Sequence, residues 1–197
     1  METHLLIGLI SFAFVTSITP GPNNLMLMAS GANFGFRRSL WHMAGVNLGF
    51  AALALMAGLG LASLMAAFPA SKTVLKIVAT LYMLWLAWKI AHAAAPAAGT
   101  AAGRPMTLVQ AAAFQWVNPK AWAMALGAIS AYAADGSLMS ILLVVLVFAL
   151  VNLPCIGIWV MGGEAVRLVL TNPSRLRLFN WTMAVLLVLS LYPVLRL

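Results

Sequence analysis

Charge is what this sequence has least of. Only 7% of its 197 residues are charged, and the acidic ones are Glu2, Asp135 and Glu164. Globular chains average about 25% charged residues, so the composition is that of an integral membrane protein. A lone aspartate, Asp135 in a predicted loop, excludes an intramembrane aspartyl protease, which needs two. The single cysteine, Cys155, lies in an apolar run and supplies neither a disulfide framework nor a ligand set. Neither Ser11 nor Cys155 has a histidine at matching depth to serve as its base, so nucleophilic catalysis lacks a partner group. Metal-ligand spacings and phosphate loops are absent too. The expectation is no enzyme and no cofactor. A basic N-terminal region is also missing: Glu2 and His4 stand where a cleavable signal would carry Lys or Arg.

What is present is hydrophobic, 64% of the chain, with a formal net charge of +8. The eleven Lys and Arg lie mostly in short connections between apolar runs, the pattern of the positive-inside rule. No basic face is large enough to track phosphates, so nucleic acid is not an expected partner. The lipid bilayer is.

Six hydrophobic segments emerge, each long enough to span. The first runs from Leu5 to Phe36, the second from about Leu40 to Phe68, and the third from about Val74 to Ala91. The fourth covers about Thr107–Ala133, the fifth about Leu138–Met161, and the sixth about Phe179–Leu195. An Ala/Gly-rich connection between the third and fourth reads as a flexible loop. Arg37, Arg38, Lys89, Arg104, Arg167, Arg175 and Arg177 fall on one side, against Lys72, Lys76 and Arg196 on the other. This places both termini on the non-cytoplasmic side.

The first segment is the informative one. Ile18-Thr19-Pro20-Gly21-Pro22-Asn23-Asn24 interrupts it, because two prolines lack the N–H groups that the carbonyls of Thr16 and Ile18 need. Its length is about 32 residues, where roughly 20 suffice for one straight helix, so the break falls near the midplane. Irregular backbone at that depth belongs beside protein or a wet cavity. Asn23 and Asn24 sit where an N-cap is favoured. The orphan N–H groups of Leu25 to Leu27, at the positive end of a helix dipole, would receive a carboxylate. The Thr16 and Ile18 carbonyls would accept from an ammonium.

The fourth segment carries Gln115, Asn118 and Lys120 around Pro119. A central lysine is costly in lipid, by about 2.5–3.5 kcal/mol on insertion scales. Lys120 therefore either faces substrate or a gate, or snorkels to the cytoplasmic boundary. Spans two and five share the tripeptide Val-Asn-Leu, with Asn47 and Asn152 at its centre; these asparagines line the pathway or bond helix to helix. Gly45 and Gly49 permit close backbone approach, within one chain or between two copies of a homodimer. His42 and His92 fall near cytoplasmic ends of spans, where interfacial placement is expected. Trp85, Trp88, Trp159 and Trp181 read as interfacial anchors.

The matching halves predict an all-α membrane protein of six transmembrane helices in an inverted 3+3 repeat, with helices one and four broken near the midplane. The chain reads as a single transporter domain, 1–197: repeat one about 1–92, a loop about 93–106, and repeat two about 107–197. The expected substrate-binding residues are Pro22, Asn23, Asn24, Asn47, Gln115, Asn118 and Lys120. A non-transporting membrane subunit is the alternative from another class. A metal-cation exporter is disfavoured by the lack of carboxylates and histidines at mid-membrane.

Several stretches resemble the lysine exporter (LysE/RhtB) superfamily of bacterial amino-acid exporters. They are Thr19-Pro20-Gly21-Pro22-Asn23-Asn24, Gly35-Phe36-Arg37-Arg38-Ser39, Ala44-Gly45-Val46-Asn47-Leu48-Gly49-Phe50, Leu84-Trp85-Leu86-Ala87-Trp88-Lys89-Ile90-Ala91 and Phe114-Gln115-Trp116-Val117-Asn118-Pro119-Lys120. Within the superfamily the resemblance is nearest to the cysteine/O-acetylserine exporter branch. It implies six spans in an inner membrane and efflux of a small amino acid driven by the proton motive force, with protons as the second partner. Two departures narrow the expectation. The lysine-exporting branch has an aspartate near the position of the neutral Asn47, which argues against a dibasic substrate. The cysteine-type pattern has valine where this chain has Pro119, which leaves the exact substrate open. With no carboxylate at mid-membrane, the proton carrier is Asp135, Glu164 or a histidine.

Overall fold

Proline stands at the first position of four helices. In the computed structural model, which describes residues 2–61, 67, 69–93, 103–169 and 172–192, all regular structure among those residues is helical. The first segment divides into α1 (Thr3–Ile18) and α2 (Pro22–Phe34), whose axes bend by 56° at the break. A reversal at Gly35, φ 80°, leads into α3 (Phe36–Met56), which continues in a wider turn over Ala57–Leu61. Then come α4 (Pro69–Ala91), α5 (Leu108–Gln115), α6 (Pro119–Tyr132), α7 (Leu138–Val169) and α8 (Pro173–Leu189).

The carbonyls freed by proline at the two breaks find donors, as buried backbone tends to. The Thr16 carbonyl accepts from Thr19 Oγ1 at 3.1 Å, and that of Ile18 from Trp159 Nε1 at 3.0 Å. At Pro119 the chain tightens instead: the Asn118 N–H reaches the Gln115 carbonyl at 3.3 Å, closing one three-residue turn before α6 begins. Pro154 interrupts nothing; α7 runs through it.

Glycine sets how closely the helices pack. α2 lies against α7 where a Cβ on Gly31 would meet the Val160 carbonyl oxygen at 2.1 Å and one on Gly163 the Met28 oxygen at 2.0 Å. Gly45 and Gly49 seat α3 on α5 in the same way, against the backbone of Leu108 and Ala112. That pair of glycines therefore packs two helices of one chain. α2 is consequently the inner element, buried from Asn24 to Leu27 and from Ala29 to Asn33. α4 pairs with α8. Large apolar side chains such as Ile7, Val15, Leu81, Leu150 and Leu189 point outward, as lipid-facing surfaces require.

By length and apolarity, two helices among the described residues suffice to cross a membrane: α3 with its turn (Phe36–Leu61) and α7 over Leu138–Arg167. The bent α1–α2 pair makes a third if it counts as one span. Several expected boundaries move. The fifth segment continues to Val169, eight residues past Met161. The sixth starts at Pro173, where the Asn172 side chain accepts from the Ser174 N–H at 2.8 Å. Apolar-run counting misses such polar helix ends because a cap, not hydropathy, defines them. The end of the second segment at Phe68, most of the 93–106 loop and Pro193 lie outside the described residues.

Candidate functional site

The two breaks meet, and a set of side chains from the predicted positions ties them together. Asn24 does not cap its own helix. The N-cap of α2 is Gly21, with no side-chain cap bond, and Pro22 takes the first helical position, which suits its fixed φ and missing N–H. From the third helical position Asn24 reaches backward, its Nδ2 donating to the carbonyls of Ser17 and Thr19, both at 2.8 Å. Leu25 N–H bonds to the Gly21 carbonyl at 3.0 Å, so the orphan donors are those of Gly21, Asn23 and Asn24 rather than Leu25 to Leu27.

The other break is closed. Asn118 caps α6 with its Oδ1 accepting from Lys120 N–H at 3.1 Å, and Trp122 Nε1 donates to the Trp116 carbonyl at 2.9 Å. The paired breaks share a proline at the first position of the following helix, but the first is extended at Thr19 and the second a tight turn over Gln115 to Asn118, and only the second is capped.

Lys120 crosses from the second break to the first. Its Nζ donates to the Thr19 carbonyl at 2.6 Å, to Thr19 Oγ1 at 3.0 Å and to the Pro20 carbonyl at 3.3 Å. Its aliphatic stem lies on Gly21, where a Cβ would stand 2.6 Å from Lys120 Cδ. Gly21 has φ −177°, which any residue adopts, so space is what keeps a side chain out. Of the two expected roles for Lys120, the inward one is the geometry observed.

Two amide pairs complete the frame. Asn23 and Gln115 exchange hydrogen bonds, and Gln115 Nε2 also donates to the Ala111 carbonyl at 2.9 Å. Asn152 Nδ2 donates to Asn47 Oδ1 at 3.0 Å, and Asn47 Nδ2 to the Ala149 carbonyl at 3.1 Å. Between them lies a cavity of about 20 Å³ with Ser17, Asn23, Asn24, Asn118, Lys120 and Asn152 in its wall. That is room for about one water, far less than any amino acid. The buried Ser17 hydroxyl in that wall has no partner among the described residues.

Of the expected residues, Asn23, Asn24, Asn118 and Lys120 line the cavity. Asn47 and Gln115 sit behind it as hydrogen-bonding partners of lining residues. Pro22 is buried at the helix start. Sequence reasoning missed Ser17, Thr19 and Trp159. Nothing in the sequence distinguishes Trp159 from an interfacial anchor, but it donates into the break.

His42 also departs from expectation. It is 2% exposed rather than interfacial, and neither ring nitrogen has a partner. It borders a second, larger cavity of about 570 Å³, shared with Ser30, Asn33, Lys89, Arg104 and Gln110. Among the described residues no group of three or more His, Cys, Asp or Glu is placed to hold a metal ion.

A family model described as LysE type translocator matches residues 14–190. The chain belongs to this family. As a LysE type translocator it is a helical membrane protein of a transporter family, and the matched residues include both breaks. It is 30% identical over 191 residues to the cysteine/O-acetylserine efflux protein of Klebsiella pneumoniae subsp. pneumoniae, covering 95% of each chain. It is 36% identical over 121 residues to the protein of the same description in Escherichia coli strain K12, covering 61% of each. No solved structure matches it.

Proposed function

We propose that this translocator exports a small zwitterionic amino acid across a bacterial inner membrane, by alternating access and at the expense of the proton motive force. Its frame is the inverted 3+3 repeat of six spans with both termini outside the cytoplasm. In support, α1 packs on α7 as α5 packs on α3, the relation that exchanging the two halves requires.

One observation carries the functional reading. At a single break, bare N–H groups of Gly21, Asn23 and Asn24 stand beside the carbonyls of Ser17 to Pro20, at the edge of the small cavity. The start of α2 attracts an anion and the end of α1 a cation. An α-amino acid carries both on one carbon. Asn23, Asn24 and the Pro22 turn hold the carboxylate; Asn118 and Lys120 form the facing wall; Gln115 and Asn47 hold the wall in place. The neutral Asn47–Asn152 pair offers no counter-charge to a second substrate cation. With room for about one water, binding requires the wall to move.

Purified protein in liposomes loaded with labelled cysteine, O-acetylserine, threonine or homoserine tests this. At least one label should leave the vesicles, faster under an imposed proton gradient, and Asn24→Ala should abolish the flux while the protein stays in the bilayer. A non-transporting subunit would move none of them.

A further inference from the structure

We propose that Lys120 is a tethered stand-in for the substrate's ammonium group, occupying that group's position while the site is empty and displaced when an amino acid binds. This rests on the exporter reading above and adds a competitor to it.

A lysine ammonium has three donors and no acceptor. Those of Lys120 have Thr19 O, Thr19 Oγ1 and Pro20 O as partners, all on the break. Among the described residues no carboxylate pairs with it: the acidic side chains are those of Glu2, Asp135 and Glu164, none of which forms an ion pair with Lys120. What holds the cation is the negative end of α1, whose last carbonyls have no helical partner. A substrate ammonium would seek the same oxygens.

The neighbouring half of the receptor differs. Among the described residues, the N–H groups of Gly21, Asn23 and Asn24 have no acceptor. The protein supplies the cationic half of a zwitterion from its own chain and leaves out the anionic half. Gly21 is part of the device, because its missing Cβ lets the lysine stem lie across the break. The consequence is a selectivity rule. A ligand with carboxylate and ammonium must evict Lys120, whereas a ligand with the carboxylate alone leaves it in place.

The test compares binding of L-cysteine and of 3-mercaptopropanoate, the same molecule without its ammonium, to purified full-length protein under reducing conditions. In Lys120→Met the competitor is gone. The affinity for cysteine relative to 3-mercaptopropanoate should rise, on the order of tenfold for loss of a charge-assisted contact. Gly21→Ala, which keeps the charge but crowds the stem, should shift the ratio the same way by less. On the wild-type protein, saturating cysteine should speed acylation of Lys120 by an amine-reactive reagent, read by mass spectrometry, and 3-mercaptopropanoate should not. If Lys120→Met weakens both ligands alike, the lysine pairs with the substrate carboxylate and the proposal falls while the exporter reading stands. An unchanged ratio, or Lys120 reactivity indifferent to cysteine, also overturns it. Wild-type protein that neither binds nor transports any amino acid overturns the exporter reading and this proposal together.

Discussion

Asn23 and Gln115 hydrogen bond to each other in both directions, Asn23 Nδ2 to Gln115 Oε1 at 2.7 Å and Gln115 Nε2 to Asn23 Oδ1 at 3.0 Å. This pair links residues 92 apart in sequence and joins one helix break to the other. Gln115 is fully buried. Replacing it by leucine leaves the Asn23 carboxamide without its partner, which costs about 1–3 kcal/mol. Thermal unfolding in detergent should show that loss for Gln115→Leu. The double variant with Asn23→Leu should lose less than the sum of the two single changes, because neither amide is then stranded.

The crossing of α2 and α7 tolerates no added atom. A Cβ on Gly163 would stand 2.0 Å from the Met28 carbonyl oxygen, which is backbone and cannot turn aside. Gly163→Ala should destabilise by at least the about 1–3 kcal/mol typical of overpacking, read as a lower unfolding temperature or loss of the monodisperse peak. Gly162, one residue earlier, has open space at its Cβ. Gly162→Ala should be close to neutral, and a helix-wide effect would make the two alike.

His42 is a buried ring with two unpartnered nitrogens beside the larger cavity. An apolar side chain of similar size removes that unsatisfied polarity, so His42→Met should raise the unfolding temperature, by about 1–3 kcal/mol of stability. An unchanged or lower value would mean that water in the cavity serves the ring.

At the turn between α6 and α7, hydrogen bonds from Ser137 and Ser140 hold the Asp135 carboxyl below the usual aspartate range. Ser140 Oγ donates to it at 2.9 Å and Ser137 N–H at 3.3 Å. A carboxylate favoured by the fold stabilises it above the unfolded value, about 3.9, and that stabilisation is lost as pH falls through the lowered folded value. The difference in unfolding temperature between wild type and Asp135→Ala should be present at neutral pH and shrink below about pH 4. A difference that does not change with pH would assign the effect to the serines alone.

Both breaks were legible because proline removes a donor: Pro20 follows the end of α1, and Pro22 and Pro119 stand at the first position of the helices that come next. The residues of the cavity wall were legible for a related reason: asparagine and lysine inside apolar runs need partners. Which partner each takes was not. Trp159 lies on a helix 141 residues from Ile18 in sequence, and nothing local to it indicates an inward N–H. His42 sits on a helix with arginines at Arg37 and Arg38, so hydropathy places it at an interface, while packing against neighbouring helices buries it. Asn24 was expected as a cap and acts as a donor to the preceding helix, because a carboxamide serves either polarity and the sequence does not say which end it turns.

Asn118 stoppers one helix start, and no side chain stoppers the other. A frame with mirrored halves would accept a small ion pair in either of two poses; this one has a head and a foot. On the export reading proposed above, an amino acid is held the same way round on every trip, with its side chain aimed at the same wall. Handedness can then be told apart by a chain that never touches the side chain's chemistry.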